Sequence, residues 1–382
     1  MYEKINVDLM NNTGIRVVDL RSDTLSKPTP EMREAMYRAT VGDDVYGEDP
    51  TVAELEKRAA ELLGKEEAVF VASGTMANLI AIMVHCNQRG SEIISGDCGH
   101  TFKFEQGGTA QIAGVHTAVI KNNEDGTFSI DELRKRIRKN PDFHEPISSL
   151  IIVENTHNIC GGKVLPLEWL EKVQAVAHEH NIPVHMDGAR MMNAAVYLNV
   201  PPSRLAKDVD SVCFCLSKGL GCPVGAILAG TSGFIANARR VRKAIGGGWR
   251  QAGIIAAAGL VALDKMIDRL REDHDHAYQI AKDISNLKSE LFRVNLDEVH
   301  TNIVIMHLDE RINPKEVQAR LATVYSTDPV KVSVRCSARD DWIRFVTWWE
   351  IGDEEVDWAT RRIISILQEF EHKFKYPPRS KL

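Results

Sequence analysis

Residues 211–228 read SVCFCLSKGLGCPVGAIL, and the predicted fold depends on this stretch. An unbroken apolar run bounded by turn residues is typical of a strand buried on both faces of a parallel sheet. Lys218 follows the run, and a turn containing Gly and Pro leads into a second apolar strand. In open α/β sheets, ligands bind at the carboxyl ends of the strands. A lysine there can attack an aldehyde to form a Schiff base, and a lysine that simply ends a strand in solvent is an equal alternative.

The sequence before this stretch alternates between short apolar runs and helical patterns. The apolar runs are residues 68–72, 92–95, 114–120, 150–154 and 183–187. Between them lie amphipathic segments, of which residues 165–180 are the clearest. Alternation of this kind predicts an α/β fold whose mostly parallel sheet is covered by helices on both faces.

The pattern changes after three consecutive glycines at residues 246–248. A long helical pattern follows, with an expected break near His276, and then come three strand-like runs and a last helix. We therefore predict three parts: a polar N-terminal arm, a large domain and a smaller α+β domain. Their expected bounds are residues 1–17, 18–262 and 263–382.

Composition narrows the possible functions. The 382 residues are 44% apolar and 26% charged with a net charge of −6, as in ordinary soluble globular proteins. Without long basic or apolar runs, neither a nucleic acid nor a membrane is an expected partner. Seven cysteines in no framework spacing favour a reducing, cytoplasmic location. No metal site is predicted, because the candidate pairs lack a full ligand set: His178 and His180, His274 and His276, Cys213 and Cys215.

Residues 69–78, VFVASGTMAN, predict a strand that turns directly into a helix. The free amides and the dipole at a helix N-terminus favour an anion such as a phosphate. The hydroxyls of Ser73 and Thr75 can donate further hydrogen bonds. The alternative is an ordinary serine cap on a helix without any ligand.

Three further positions carry groups suited to chemistry. Asp187 ends an apolar strand, and its buried carboxylate needs a partner, either Arg190 or a cationic ring nitrogen of a cofactor. His100, near Glu105, can stack on a flat ring or lie on the surface. Arg344, between apolar residues, can bind a carboxylate in bidentate fashion or simply face solvent.

Together these motifs resemble the low-specificity L-threonine aldolases, which belong to the fold-type-I pyridoxal-phosphate enzymes. The resemblance runs from about residue 17 to the end of the chain and is strongest through residue 255. It implies a fold-type-I transferase-like large domain, with a seven-stranded sheet, and a small C-terminal domain. The matching segments are VDLRSDT at 18–24, VGDDVYGEDPT at 41–51, SGTMAN at 73–78, ENTHN at 154–158, MDGAR at 186–190 and LSKGLG at 216–221.

The resemblance also implies a role for each site residue. It implies that Lys218 forms the covalent bond with pyridoxal 5'-phosphate, that Asp187 pairs with the cofactor's ring nitrogen and that His100 stacks on the ring. It assigns the remaining cofactor contacts to Ser73, Gly74, Thr75, Arg190 and Arg250. It implies that Ser22, Arg190 and Arg344 bind the substrate carboxylate and that His144 lies near the β-hydroxyl. It also implies that Tyr46 and Arg250 reach a neighbouring subunit's site.

The activity implied is cleavage of L-threonine and L-allo-threonine to glycine and acetaldehyde, in a homotetramer whose active sites lie at dimer interfaces. His144 is the first candidate for the base and His100 the second. The alternatives are a related aldolase or lyase for bulkier β-hydroxy amino acids and a non-catalytic paralogue. Trp249 and Trp348, where family members often carry Met and His, are expected near the entrance and to affect the substrate range.

Overall fold

The computed structural model describes residues 14–375. The strands, in chain order, are β1 Arg16–Asp19, β2 Glu67–Val71, β3 Ser91–Gly96, β4 His116–Ile120, β5 Ile147–Glu154, β6 Val184–Asp187, β7 Ser211–Cys215, β8 Ala226–Gly230, β9 Phe292–Arg293, β10 Ile303–Leu308, β11 Val332–Arg335, β12 Ser337–Arg339 and β13 Trp342–Val346. The α-helices are α1 Pro30–Arg38, α2 Pro50–Leu63, α3 Gly74–His85, α4 His100–Lys103, α5 Gly108–Gln111, α6 Ile130–Arg136, α7 Leu167–Glu179, α8 Met191–Leu198, α9 Pro202–Ala206, α10 Ser232–Ala244, α11 Gly253–Asn286, α12 Pro314–Ala322 and α13 Asp353–Lys375.

The described residues form two compact units. One comprises residues 26–271, and the other combines residues 14–25 with residues 272–375. The sequence predicted bounds at 17/18 and 262/263, so the N-terminal segment differs most from expectation. Part of the predicted arm is strand β1, which pairs in parallel with β11 over four residues. Residues 1–13 of that arm lie outside the described residues.

The unit at residues 26–271 is built on a seven-stranded sheet in the order β2-β8-β7-β6-β5-β3-β4. Strands β3 to β7 run parallel to one another, and β8 runs antiparallel to both β7 and β2. Every residue of β6 and β7 is buried, which the apolar run of β7 predicts, while β6 also buries His185 and Asp187. The predicted mostly parallel seven-stranded sheet is confirmed.

The turn that reverses the chain between β7 and β8 depends on Gly225. This residue has φ +110°, and an added Cβ would lie 2.4 Å from Cε2 of Phe70. We expect Gly225→Ala to lower the free energy of unfolding by about 3 kcal/mol, because strain and overpacking add. Chemical denaturation measures this change. Gly233→Ala is the control, since a Cβ there meets no atom within 4 Å, and equal stability of the two variants would contradict the argument.

The second unit contains a four-stranded antiparallel sheet, β12-β13-β10-β9, and the two-stranded β1-β11 sheet. Its apolar core draws on both of these sheets and on helices α11, α12 and α13. Helix α11 runs unbroken through His276, so the expected break is absent. Trp348 belongs to this core with 3% of its surface exposed. The expectation that it lies at an entrance is therefore wrong.

Two expectations drawn from composition concern the thiols and the membrane. All seven cysteines carry free thiols. Throughout residues 14–375, each helix is too short or too polar to cross a lipid bilayer.

Candidate active site

Three neighbouring strands of the seven-stranded sheet end at one edge. Strand β5 ends at Glu154 and β6 at Asp187, and these two residues are register partners. Asp187 is in turn the register partner of Cys213 in β7. Lys218 follows the end of β7 by three residues. The structure therefore brings the ends of the ENTHN, MDGAR and LSKGLG segments to the same edge, as the parallel topology predicts.

The backbone of Lys218 is fixed by its own loop. Gly221 N donates to the Lys218 carbonyl at 2.8 Å, and Cys222 N donates to Leu216 O at 3.0 Å. Ser26 Oγ donates to the same Lys218 carbonyl at 2.8 Å. The side chain is half-buried. A rigid backbone beneath a partly enclosed amine is the arrangement that a lysine nucleophile requires.

Asp187 is a buried carboxylate, 2% exposed. It accepts hydrogen bonds from Asn78 Nδ2 at 2.9 Å and Ala189 N at 3.2 Å, and Cys213 Sγ lies 3.9 Å away. None of residues 14–375 forms an ion pair with it. The alternative in which Arg190 neutralises Asp187 is therefore wrong. Burying an uncompensated charge is costly, so the site fits a ligand that carries a positive charge.

Arg190 lies beside this carboxylate edge and has a different contact. It is 6% exposed, and its Nη1 donates to Asn158 Oδ1 at 3.3 Å. The backbone N of Asn158 donates to Glu154 Oε1 at 2.9 Å. The ENTHN and MDGAR segments thus support each other, and a buried guanidinium is held next to the edge where Asp187 ends its strand.

The turn between β2 and α3 has the form expected of an anion site. Ser73 caps the helix, with its Oγ accepting from Met76 N at 3.1 Å. Ser73 and Thr75 are exposed. A Cβ at Gly74 would lie 2.8 Å from Cys215 Sγ, so this position requires glycine. The 12-residue helix therefore begins beside the end of β7 with its first amides accessible, which suits a phosphate.

His100 begins α4 and contacts two acidic side chains. Its Nδ1 lies 2.9 Å from Glu105 Oε1, and its backbone N donates to Glu154 Oε2 at 2.6 Å. Burial alone would lower the pKa of His100, but the Glu105 hydrogen bond and the charges of Asp187 and Glu154 raise it overall. Burial raises the pKa of Glu105. One ligand atom each from His100, Glu105 and Asp187 all lie within 4.8 Å of one another, a spacing that would also suit a metal ion.

We expect Glu105→Gln to lower the pKa of His100. Glutamine keeps a hydrogen-bond acceptor but removes the negative charge that favours the protonated imidazole. A rate that requires neutral His100 then rises at a lower pH than in the parent protein. A histidine NMR titration of the cofactor-free protein measures the shift directly. Glu168→Gln, on the exposed start of α7, is the control, and the same His100 pKa in both variants would exclude this coupling.

His144 is not brought to this edge within the chain. It is exposed, its backbone N donates to Asp142 Oδ1 at 2.8 Å, and it lies three residues before β5 begins. Strand β5 has eight residues, so its two ends are about 23 Å apart at the usual rise per residue. Within its own chain, His144 is therefore separated from Glu154 and Asp187 by the length of strand β5.

Ser22 and Arg344 lie together in the second unit. Arg344, on β13, directs Nη2 to the carbonyl of Arg21 at 3.3 Å, beside Ser22. The Ser22 hydroxyl accepts from Thr24 Oγ1 at 2.9 Å. Two of the three residues assigned to the substrate carboxylate, Ser22 and Arg344, are therefore neighbours, although they are more than 300 positions apart.

Tyr46 and Arg250 also lie close together. Asp43 joins them, accepting from Tyr46 N at 3.3 Å and from Arg250 Nη1 at 2.8 Å. Tyr46 is 77% exposed. Trp249, next to Arg250, packs edge-to-face on Phe70 at 4.8 Å between ring centroids. The chain thus presents an aromatic and a guanidinium side chain on one surface.

The sequence arguments missed a buried polar group behind Asp187. Asn78 lies on α3 and is 1% exposed. Its Nδ2 donates to both Asp187 and Glu105, at 2.9 and 2.8 Å. A signal was present, because Asn78 is the polar residue in the otherwise apolar segment ANLIAIMV. A buried amide of this kind requires partners, and those partners are far away in the sequence.

Comparison with known proteins agrees with this geometry. The chain is 44% identical to "Probable low-specificity L-threonine aldolase 2" of Arabidopsis thaliana over 92% of this chain and 97% of that protein. It is 43% identical to the Low specificity L-threonine aldolase of Escherichia coli K12 over 77% and 85%. The solved structure of Leishmania major threonine aldolase covers 92% of this chain and 99% of its own with TM-score 0.76 at 19% identity. The predicted fold-type-I architecture is confirmed. Residues 19–311 match the model of the beta-eliminating lyases, and the chain belongs to that family.

Proposed function

We propose that this protein is a carbon–carbon lyase that cleaves L-threonine and L-allo-threonine to glycine and acetaldehyde with pyridoxal 5'-phosphate as cofactor. The observation that carries the proposal is the buried carboxylate of Asp187, which makes no ion pair among residues 14–375 and lies at the sheet edge that Lys218 follows. The names of relatives at 43–44% identity support the substrate.

The residues of the edge fit this cofactor. We assign the covalent attachment to Lys218, the charged ring nitrogen to Asp187 and the ring face to His100. The N-terminus of α3, at Ser73, Gly74 and Thr75, is assigned to bind the phosphate. Arg190 and Arg250 are assigned as further contacts to the cofactor. When bound, pyridoxal phosphate supplies a sink for the electron pair released as the Cα–Cβ bond breaks.

The substrate carboxylate is assigned to Ser22, Arg190 and Arg344. A planar guanidinium binds a carboxylate through two parallel hydrogen bonds and so fixes its orientation. That orientation decides which bond of Cα is cleaved. Positioning of this kind contributes several orders of magnitude in oriented reactions, and it separates aldol cleavage from racemisation or transamination.

The chain's own candidate for the base is His100. With Nδ1 directed to Glu105, its Nε2 remains to take the proton of the β-hydroxyl. His144 can act only if a second copy brings it to a neighbouring site. A site completed by a second copy fits the proposed homotetramer, whose active sites lie at dimer interfaces. In that assembly Tyr46 and Arg250 also reach the active site of a neighbouring subunit. Sedimentation equilibrium measures the number of subunits.

We expect His144→Ala to lower the activity, and expect activity to return when this variant is mixed with Lys218→Ala. In a mixed oligomer the first chain supplies an intact Lys218 and the second an intact His144. Each variant is assayed alone, and then after co-expression and purification of the hybrid. Failure to recover would exclude a role across subunits, and full activity of His144→Ala alone would leave His100 as the sole base.

The function itself is tested on purified protein with a panel of β-hydroxy amino acids. We expect a yellow protein that releases acetaldehyde from both threonine diastereomers, with a rate that a metal chelator leaves unchanged. Release of ammonia would favour an eliminating lyase, and faster cleavage of larger substrates a related aldolase. Cofactor binding without turnover would favour a non-catalytic paralogue. The free thiols support a cytoplasmic location, which cell fractionation tests.

A further inference from the structure

A chain of buried hydrogen bonds begins at Asp187 and leads away from the site. Asn78 Oδ1 lies 3.1 Å from His185 Nε2, and His185 Nδ1 lies 2.9 Å from Ser211 Oγ. The same Ser211 oxygen lies 2.8 Å from His85 Nε2. Asn78, His185 and Ser211 are each at most 1% exposed. The contacts link helix α3 to strands β6 and β7 beneath the sheet edge.

Local geometry explains why these residues meet. Asn78 and His85 are seven residues apart on α3, which is two turns, so both face the sheet. His185 and Asp187 alternate by two on β6 and share a face. Ser211 is the register partner of His185 on the adjacent strand. The chain is therefore fixed by regular secondary structure.

The orientation of the Asn78 amide follows from its partners. Two carboxylates, those of Asp187 and Glu105, lie on one side of it, and only the NH₂ group can donate to both. Its oxygen must then face His185, and His185 Nε2 must carry a hydrogen. The Cys213 thiol, 3.3 Å from the same oxygen, is a second donor.

The remaining hydrogens are fixed by elimination. Burial lowers the pKa of His185 to about 3 and that of His85 to about 4, so both rings are neutral at pH 7. With its one hydrogen on Nε2, His185 must accept at Nδ1, and the Ser211 hydroxyl must donate to it. That hydroxyl oxygen can then only accept from His85 Nε2. Every donor in the chain points towards Asp187.

We infer that Asn78, His185, Ser211 and His85 form a one-directional hydrogen-bond chain that holds the Asp187 carboxylate in position. The inference rests on the proposed function, in which Asp187 faces the cofactor's ring nitrogen. Aligned hydrogen bonds polarise one another in a low-dielectric interior. These hydrogen bonds therefore stabilise the Asp187 carboxylate, which makes no ion pair within the described residues. They do so without a permanent cation that would compete with the cofactor's ring nitrogen. These four are positioning residues and do not touch the substrate.

The direction of the chain is tested first, on protein without cofactor. Histidine-selective ¹⁵N labelling reports which ring nitrogen carries the hydrogen, and His185→Asn identifies the His185 signals. We expect His185 to carry its hydrogen on Nε2 at pH 7. A hydrogen on Nδ1, or a doubly protonated ring, would overturn the inference whatever the protein's activity.

The effect on Asp187 is tested with Ser211→Ala, which breaks the chain and adds no bulk. Ser91→Ala is the matched control, because Ser91 is also a buried first residue of a parallel strand, with its hydroxyl bonded to Ser149. We expect Ser211→Ala to weaken binding of pyridoxal phosphate to the cofactor-free protein and to lower kcat with little change in KM. The expected factor is on the order of tenfold in each, since a hydrogen bond supporting a charged group is lost.

Further variants grade the effect along the chain. Asn78→Ala should lower cofactor affinity and kcat more than Ser211→Ala does, and His85→Ala should lower them less. Thermal melting of each cofactor-free variant shows whether it is folded. Equal cofactor affinity and kcat in Ser211→Ala and Ser91→Ala would overturn the inference. Failure of the parent protein to bind the cofactor or to cleave threonine would instead refute the proposed function, and the labelling result would still stand.

Discussion

Replacing Lys218 with alanine should abolish the visible absorbance of bound pyridoxal phosphate and lower the cleavage rate by a factor on the order of 10³ or more. The reason is chemical, because no other group at the sheet edge that Asp187 ends can form the covalent bond assigned to this amine. The backbone of the loop is held by Ser26, Gly221 and Cys222, so the fold is expected to survive. Absorbance, activity and melting temperature are measured on the same preparation.

Two controls make the Lys218 result specific. Lys207→Ala removes an exposed lysine just after α9 and should change none of the three quantities. Lys218→Arg keeps the positive charge without a nucleophilic amine and should behave like the alanine variant. An undiminished absorbance band in Lys218→Ala would remove the basis of the site assignment.

The second large effect is expected at Asp187. Asp187→Ala removes the charge that is assigned to the ring nitrogen, and the loss of such electrostatic stabilisation should lower kcat by a factor of about 10² to 10³. Because Asp187 makes no ion pair among residues 14–375, Asp187→Asn should not lower the melting temperature of the cofactor-free protein. A large loss of stability together with retained activity would show a structural carboxylate.

Asp208 provides the comparison for Asp187. It is also buried, but Arg204 Nη1 lies 2.6 Å from its carboxylate. Asp208→Asn should lower stability, since it removes the more buried of the two carboxylates that pair with Arg204, the other being Glu171, and it should spare the activity. The two variants thus separate a carboxylate kept for a ligand from one that supports the fold.

The large sheet could be predicted because its strands carry their own signal. A strand buried on both faces, such as β7, appears as a continuous apolar run that depends little on the rest of the chain. Strand β1 could not be recognised in this way. Its four residues form a strand because β11 pairs with it, and β11 lies about 300 residues away. The length of α11 was misjudged at His276, where the ring pairs with Asp353 on another helix.

The residues of the candidate site also differ in how far the sequence could indicate them. Lys218, Asp187 and Ser73 were identified because each ends a strand or begins a helix, which is visible in the sequence. His144 was carried over by resemblance alone, and only the parallel direction of β5 shows that it lies at the opposite edge. The roles proposed for Asn78, His185 and Ser211 depend on contacts between residues more than 100 positions apart. Sequence periodicity cannot reveal such contacts.

The pairing of β1 with β11 has a consequence for how the protein is made. Residues 26–271 leave the ribosome with every strand of their sheet already present, so that unit can fold during synthesis. The other unit combines segments on both sides of that stretch, and Arg16–Asp19 must wait for Val332–Arg335 to emerge. Its closure therefore follows the synthesis of the whole larger unit, and nascent chains released before that point would expose the unpaired strand to chaperones and proteases.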